Sequence, residues 1–230
     1  MVQKKYQTIA SQREIHNTLK AINEAGGKAE YICVDITDGM MLREKLRPII
    51  DQFGTITGII HGAGNLADKR IERKIVQDFE TVYAAKVQGL ENLLNIVETN
   101  QPEYLILFSS VVGFYGNVGQ TDYAIANEIL NKSAHVIKHK HPNCHVVSIN
   151  WGPWDSGMVS PELQTAFAQR GIETIPQELG SSILVDQLRT SDSSMTQVVI
   201  GSPLVYIPST WSSEQTPYFI KNFRIVNHVF

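Results

Sequence analysis

The run Tyr104-Leu-Ile-Leu-Phe-Ser-Ser110 decides the fold, because a short apolar stretch that ends in two serines is typical of a buried strand. Farther along the chain, Tyr123-Ala-Ile-Ala-Asn127 predicts a helix in which Asn127 lies one turn beyond Tyr123 on the same face. Three glycines between these two elements indicate a flexible link. The Ser110 and Tyr123 hydroxyls can therefore converge.

Helical and strand patterns alternate on both sides of this stretch. The predicted helices cover residues 11–25, 39–53, 75–97, 122–138, 161–170 and 177–188, and the predicted strands cover residues 29–34, 56–60, 105–108, 146–150 and 196–200. Strands separated by helices indicate a parallel sheet with helices on both faces. The sequence therefore predicts an α/β fold, a doubly wound, Rossmann-like parallel sheet.

Composition excludes several classes of protein. A chain of 230 residues with 43% hydrophobic residues can bury the core of one globular domain. A net charge of −3 carries no general footprint for nucleic acid, and the basic cluster at residues 69–74 is expected to be solvated. Without a signal peptide or a membrane-length apolar run, the cytoplasm is the default location. Cys33 and Cys144 adjoin apolar runs, so we expect buried thiols and no metal site.

Four side chains of different chemistry can be assembled into one active site: Lys86, Ser110, Tyr123 and Asn127. An ammonium, a hydroxyl, a phenol and an amide suit proton delivery to a carbonyl oxygen while a cofactor delivers hydride to the carbon. The reference pKa of tyrosine is about 10, so a nearby lysine cation is expected to lower the Tyr123 pKa. Each residue alone has an ordinary structural interpretation, such as a helix cap or core packing. Only the set is specific.

These residues lie in segments that resemble the ketoreductase domains of polyketide and fatty-acid synthases, within the short-chain dehydrogenase/reductase superfamily. The segments cover residues 61–64, 86–89, 108–110, 119–127 and 150–154. The longer sequence stretches that contain them look closest to the ketoreductases of polyunsaturated-fatty-acid synthases. In that subfamily the lysine comes from the earlier helix and asparagine follows tyrosine by four positions, as Lys86 and Asn127 do here. Lys132 is expected on the opposite side of the helix from Tyr123.

The resemblance implies a reaction and a role for each residue. NADPH would reduce a 3-oxoacyl thioester, carried by an acyl carrier protein, to a 3-hydroxyacyl thioester. Tyr123 would donate the proton, Ser110 would hold the carbonyl oxygen, and Lys86 would lower the tyrosine pKa. Asn127 would support the proton path. Neighbouring synthase domains are the other implied partners, and neither a nucleic acid nor a membrane is implied.

The resemblance also implies a cofactor-binding set. Its members are Asp35, Ile36, His61, Gly62, Ala63, Gly64, Lys86, Tyr123, Trp151, Gly152 and Pro153. The Asp35 carboxylate would accept the adenine amino group, although it is equally suited to cap the helix after Thr37. Small residues at 62–64 would let the backbone approach the ligand. The segment 151–154 would flank the nicotinamide, and its tryptophans are equally suited to anchor the core.

A second set, Asp68, Tyr115 and Met158, would contact the substrate and control the stereochemistry, with residues 155–170 as a lid over the site. In the family, an acidic motif after the glycine turn accompanies formation of the 3R alcohol, and Asp68 supplies the second of its two acids. Tyr115 stands where the opposite class carries a guiding tryptophan. We therefore expect the 3R product.

The resemblance covers roughly residues 12–202 and leaves out one cofactor-binding element. Ketoreductases begin with a strand, a glycine-rich turn and a helix that bind the pyrophosphate, and no glycine-rich turn precedes the first predicted helix here. We therefore expect residues 1–202 to form a domain truncated at its amino end, and residues 203–230 to be a linker or the start of a following domain. Two alternatives stay open: a non-catalytic remnant or structural module that cannot bind the dinucleotide alone, and a sugar-nucleotide epimerase, which Asn127 disfavours.

Overall fold

Five parallel strands form the sheet of this protein. The computed structural model describes residues 2–97, 102–169, 171–190, 195–201 and 224–226. The strands are β1 (Gly58–His61), β2 (Tyr104–Ser110), β3 (His145–Trp151), β4 (Gln197–Ile200) and β5 (Arg224–Val226), which are neighbours in that order. The register pairs His61 with Leu107 and Ser110 with Trp151, so the carboxyl ends of β1, β2 and β3 lie at the same edge.

Helices cover both faces of this sheet. They are α1 (Val2–Glu24), α2 (Gly39–Phe53), α3 (Val76–Tyr83), α4 (Gly89–Val97), α5 (Val111–Tyr115), α6 (Thr121–Lys140), α7 (Pro161–Gln169) and α8 (Gln177–Arg189). Alternate residues of β2 enter opposite cores, as strand geometry requires. Leu107 packs in a cluster with Leu90 of α4 and Leu130 of α6, whereas Ile106 packs in a cluster with Ile183 of α8. This arrangement confirms the predicted doubly wound, Rossmann-like fold.

The predicted strand at residues 29–34 is wrong, because these residues form no regular secondary structure. A parallel strand requires a hydrogen-bonded neighbour, and in the described part of the chain β1 pairs with β2 alone, which leaves its other edge open. Without a strand to order it, the segment is solvated. Tyr31 and Cys33 are exposed, against our expectation for Cys33, while Cys144 is buried as expected. Ile60 on β1 is 53% exposed.

The helix α5 and the strand β5 are absent from the sequence prediction. The short helix α5 follows β2 directly, where three glycines had indicated a flexible link. The strand β5 lies within residues 203–230 and pairs in parallel with β4. The other residues of 203–230 lie outside the described residues. The assignment of this segment to a linker or a following domain stays a prediction. None of the described helices combines the length and apolarity that a membrane span requires.

The packing of α8 against Trp154 can be tested with Gly180→Ala. In an exposed helix, alanine stabilises relative to glycine by about 1 kcal/mol. At this site, however, the added methyl group would overlap three atoms of the Trp154 indole, so the ring or the helix must shift. Overpacking of this kind costs about 1–3 kcal/mol, and we expect a lower melting temperature for the variant, measured by circular dichroism. A melting temperature above that of the wild type would contradict this packing.

Candidate active site

The last three residues of β2 each hold a different part of the site. The backbone carbonyl of Phe108 accepts a hydrogen bond of 2.7 Å from the Lys86 Nζ. The Ser109 hydroxyl donates to the backbone carbonyl of Asn127 at 3.1 Å, which fixes α6 against the strand end. Ser110 ends the strand, and its Oγ accepts from the Val112 amide at 3.1 Å as the N-cap of α5. The strand end therefore brings together three of the four predicted catalytic residues.

Lys86 lies in a π-helical turn (Ala84–Gln88) between α3 and α4. Such turns occur frequently at functional sites, because they break the regular spacing of a helix. The side chain is buried, and its Nζ lies 5.9 Å from the centre of the Tyr123 ring. Burial lowers the pKa of Lys86 from 10.5 to about 8. The buried His61 ring donates from Nε2 to the Lys86 backbone carbonyl at 2.8 Å, which ties the end of β1 to this turn.

The Tyr123 phenol lies on α6 beside Ser110 and Asn127. Burial raises the pKa of Tyr123, the hydrogen-bonding side chains of Ser110 and Asn127 act to lower it, and the charge of Asp68 acts to raise it. That Lys86 lowers this pKa stays a prediction. The Lys86 ammonium donates to the Phe108 carbonyl and lies over the Tyr123 ring.

Asn127 is fully buried on α6, one turn beyond Tyr123. Its Nδ2 donates to the Tyr123 backbone carbonyl at 2.8 Å, while its Oδ1 has no hydrogen-bond partner in the described part of the chain. A buried acceptor without a donor is costly, so this oxygen is suited to accept a hydrogen bond from a bound molecule. Lys132 lies on the solvent side and pairs with Glu128 at 3.0 Å, which confirms that it faces away from the site.

The predicted substrate residues lie on two sides of this site. Asp68 accepts a hydrogen bond of 2.8 Å from the Gln120 amide, just before α6. Tyr115 is exposed at the end of α5, and its ring packs edge-on against Phe114. The exposed Met158 comes from the predicted lid, and its Cε lies 3.8 Å from where a side chain at Gly64 would begin. Of that lid, Arg170 lies outside the described residues.

The loops after β1 and before α2 hold the predicted cofactor residues, with one correction. Asp35 does not cap α2, because Asp38 is its N-cap. Instead, Asp35 Oδ1 accepts from the backbone amide and the hydroxyl of Thr37, which lower its pKa. Sequence reasoning missed Asn92 of α4, whose Nδ2 donates to the carbonyls of Ile36 and Thr37 and holds this loop. A helix-face asparagine in a long helix carries no separate signal of that role.

At residues 62–64 the backbone approaches the site closely. A Cβ at Gly64 would lie 3.0 Å from the Lys86 Cε, and one at Gly62 would lie 3.7 Å from the Phe108 ring. A side chain at Gly64 would crowd Lys86, so glycine keeps this part of the backbone close to the site. The described residues provide no glycine-rich turn before a helix at the open edge of β1, and a pyrophosphate therefore lacks its usual donors there.

The tryptophans of the segment 151–154 belong to the core, which agrees with the alternative interpretation that they anchor the core. The Trp151 ring packs 5.5 Å from Phe108 and 4.9 Å from Trp154, measured between ring centres. Gly152 lies against the Ile200 carbonyl, so the backbone between β3 and β4 is tightly held. The contact of residues 151–153 with a nicotinamide stays a prediction.

A buried ion pair beside Tyr123 was also missed. The Lys74 Nζ donates to Asp122 Oδ2 at 2.7 Å and to the Ala67 carbonyl at 2.8 Å, and the two charged side chains are only 8% and 0% exposed. The expectation that the basic cluster at residues 69–74 is solvated is therefore wrong for Lys74. The signal in the sequence is an acid directly before Tyr123 in the first turn of a helix. Its partner lies 48 positions away and no spacing rule connects them.

Comparison with known proteins identifies similar chains. Residues 6–156 match the KR domain family. The chain is 39% identical over 196 residues to one component of the polyunsaturated fatty acid synthase of Thraustochytrium sp., a match that covers 85% of this chain but only 7% of that protein. An N-terminal ketoreductase from the macrolactin assembly line superposes with a TM-score of 0.69 at 30% identity, over 80% of this chain and 36% of that one. A blue fluorescent protein in complex with NADPH has a TM-score of 0.71 at 16% identity, over 84% and 82% of the two chains, and shows the shared fold alone.

Burial of Lys86 predicts a pH-dependent stability that Lys86→Met removes. The unfolded chain keeps this proton up to pH 10.5, whereas the folded protein releases it near pH 8. The unfolded state therefore binds more protons between these values, and stability rises with pH in that window. Relative to Lys86→Met, the wild type should gain at most about 1.4 kcal/mol per pH unit. Urea unfolding of both proteins across this window and below it measures the difference; parallel curves would contradict a depressed Lys86 pKa.

Proposed function

The chain belongs to the KR domain family, the ketoreductase domains of polyketide and polyunsaturated-fatty-acid synthases within the short-chain dehydrogenase/reductase superfamily, and we propose that its site reduces the 3-oxo group of an acyl thioester with NADPH. Ketoreductase domains reduce a β-keto group. The acyl thioester and the carrier protein that would present it are proposed because the similar chains are parts of multidomain synthases, of which this chain spans a small fraction.

One observation carries the proposal: Tyr123, Ser110, Asn127 and Lys86 meet at the carboxyl end of β2. The side chains of Ser110 and Asn127 act to lower the pKa of the phenol, and the Lys86 Nζ lies over the ring, 5.9 Å from its centre. The carboxyl ends of parallel strands are where open α/β sheets bind ligands. A proton donor, a hydroxyl and a cation in a mostly buried site suit the addition of hydride and proton to a carbonyl.

NADPH and four residues of the chain would each have a separate role in this reduction. NADPH would supply the hydride to the carbonyl carbon. Ser110 would hold the carbonyl oxygen by a hydrogen bond, and Tyr123 would donate its phenolic proton to that oxygen. The raised pKa of Tyr123 keeps the phenol protonated near neutral pH, so the donor is present before hydride arrives. Asn127 would support the proton path by accepting a hydrogen bond at its buried Oδ1. Lys86, whose Nζ lies 5.9 Å from the centre of the Tyr123 ring, would stabilise the phenolate that forms when the proton leaves, until a proton from solvent restores the phenol.

The proton-donor role is tested by Tyr123→Phe in the complete natural protein that contains this chain. Only the phenolic oxygen is removed, so we expect the fold to be kept and turnover of a short 3-oxoacyl thioester to be abolished. Loss of a general acid typically costs roughly 10²–10⁴-fold in rate. The rate of NADPH oxidation measures the effect, and thermal unfolding serves as the control. Turnover close to that of the wild type would refute the assignment of Tyr123.

A second candidate function is a non-catalytic module of a synthase, which would apply to a protein without the strand and glycine-rich turn that ketoreductases place beside β1. Ile60 is half exposed there and no described strand pairs with that edge. In this case the site residues would be retained without a bound dinucleotide. No observation in the structure favours the epimerase alternative.

Calorimetric titration with NADPH distinguishes the two functions. We expect the 230-residue chain alone to bind NADPH weakly or not at all, because the described residues beside β1 provide no backbone N–H groups of a glycine-rich turn to bind the pyrophosphate. Supplying the strand, glycine-rich turn and helix of a ketoreductase relative ahead of residue 1 should restore both affinity and reductase activity. Tight one-to-one binding by the chain alone would show that the account of the pyrophosphate site is wrong. Failure of the supplemented chain to bind would favour the non-catalytic module.

A further inference from the structure

The buried pair Lys74 and Asp122 lies next to the proposed proton donor but takes no part in the chemistry described above. Two opposite charges in an apolar interior lose their hydration, and well-packed apolar residues often stabilise a fold equally well. A pair of this kind therefore calls for a reason other than stability. Its hydrogen bonds point to one, because Asp122 also bonds to the backbone of the first turn of α6 and Lys74 also bonds to the backbone of the loop that precedes Asp68.

Asp122 connects the pair to Tyr123. Its Oδ1 accepts a hydrogen bond of 2.9 Å from the Tyr123 backbone amide, while its Oδ2 binds the Lys74 ammonium at 2.7 Å. The carboxylate also lies in the first turn of α6, where a negative charge is favoured. The position of the Tyr123 backbone therefore depends on a carboxylate whose other oxygen is fixed by Lys74.

Lys74 connects the same carboxylate to the opposite loop. Its Nζ donates to the Ala67 carbonyl at 2.8 Å, one residue before Asp68. Ala67 packs in one apolar cluster with the Tyr123 ring, and the Asp68 charge acts on the phenol. The start of α6 and this loop are further joined by the Gln120 side chain, which donates to Asp68 at 2.8 Å. A shift of Lys74 would therefore move the Tyr123 phenol relative to Ala67 and Asp68.

From these contacts we infer that Lys74 and Asp122 are positioning residues that hold the Tyr123 phenol at the distance and angle required for proton transfer. The inference rests on the proposed reductase function. It assigns the pair no contact with substrate or cofactor. A displacement of about 1 Å in such a donor can lower a rate about 100-fold. The pair should therefore affect the proton-transfer step and leave cofactor binding unchanged.

The test is the double variant Lys74→Met/Asp122→Asn in the complete natural protein that contains this chain. Made together, the two substitutions leave no unpaired buried charge, and the asparagine Oδ1 can still accept from the Tyr123 amide. A matched control is Lys132→Met/Glu128→Gln, which removes the same types of charge from an exposed pair on the same helix. The readouts are kcat and its solvent isotope effect with a short 3-oxoacyl thioester, the NADPH dissociation constant and the melting temperature.

We expect kcat of the Lys74→Met/Asp122→Asn variant to fall roughly 10- to 100-fold with a larger solvent isotope effect, since proton transfer would become slower. Its NADPH affinity should stay near the wild-type value, and the control pair should leave all readouts unchanged. An unaltered kcat, an equal loss of NADPH affinity, or failure of the double variant to fold would each overturn the inference, the last because the pair would then serve folding. If wild type and Tyr123→Phe are equally inactive, the proposed function itself fails.

Discussion

The hydrogen-bonded register of β2 is the constraint on which the rest of the site depends. Buried between β1 and β3, this strand cannot slip without moving Leu105 and Leu107 out of one core and Ile106 out of the other. Its carboxyl end is therefore fixed in space. Three successive residues there have three different contacts. The Phe108 carbonyl binds Lys86, the Ser109 hydroxyl binds α6, and the Ser110 side chain lies beside the Tyr123 phenol. Core packing and active-site geometry are consequently set by the same few backbone bonds.

Burial sets the charges of the site in a way that suits a reductase. Desolvation lowers the pKa of Lys86 to about 8 and raises that of Tyr123, so the phenol keeps its proton while the ammonium still carries its charge near neutral pH. The neutral forms of the two groups are both favoured by the same apolar surroundings. The fold thus retains a cation that burial opposes, and the Phe108 carbonyl offsets part of that cost. Stability and chemistry are in direct opposition at Lys86.

The sequence predicted those parts of the fold and site that depend on local patterns. Short apolar runs located β2 and β3, helical spacing located α2, α6 and α8 within a few residues, and the four site residues follow from short motifs. Residues 29–34 show why the rest could not be predicted. Their pattern is that of a strand, but a strand forms only where a neighbour supplies hydrogen bonds, and an apolar pattern contains no information about the neighbour.

The same distinction separates Lys74 from Lys86. Lys86 was assigned because its motif is local, whereas the state of Lys74 depends on a carboxylate that lies 48 positions away and on the Ala67 carbonyl. A lysine in a basic run is predicted to be solvated, because most lysine side chains in proteins are exposed. It becomes buried only when the fold brings a buried acid to it, and β2 does so here by fixing the start of α6 through Ser109 and Asn127. The pairing of charges beside Tyr123 is thus a consequence of strand register and could be recognised only once the sheet was known.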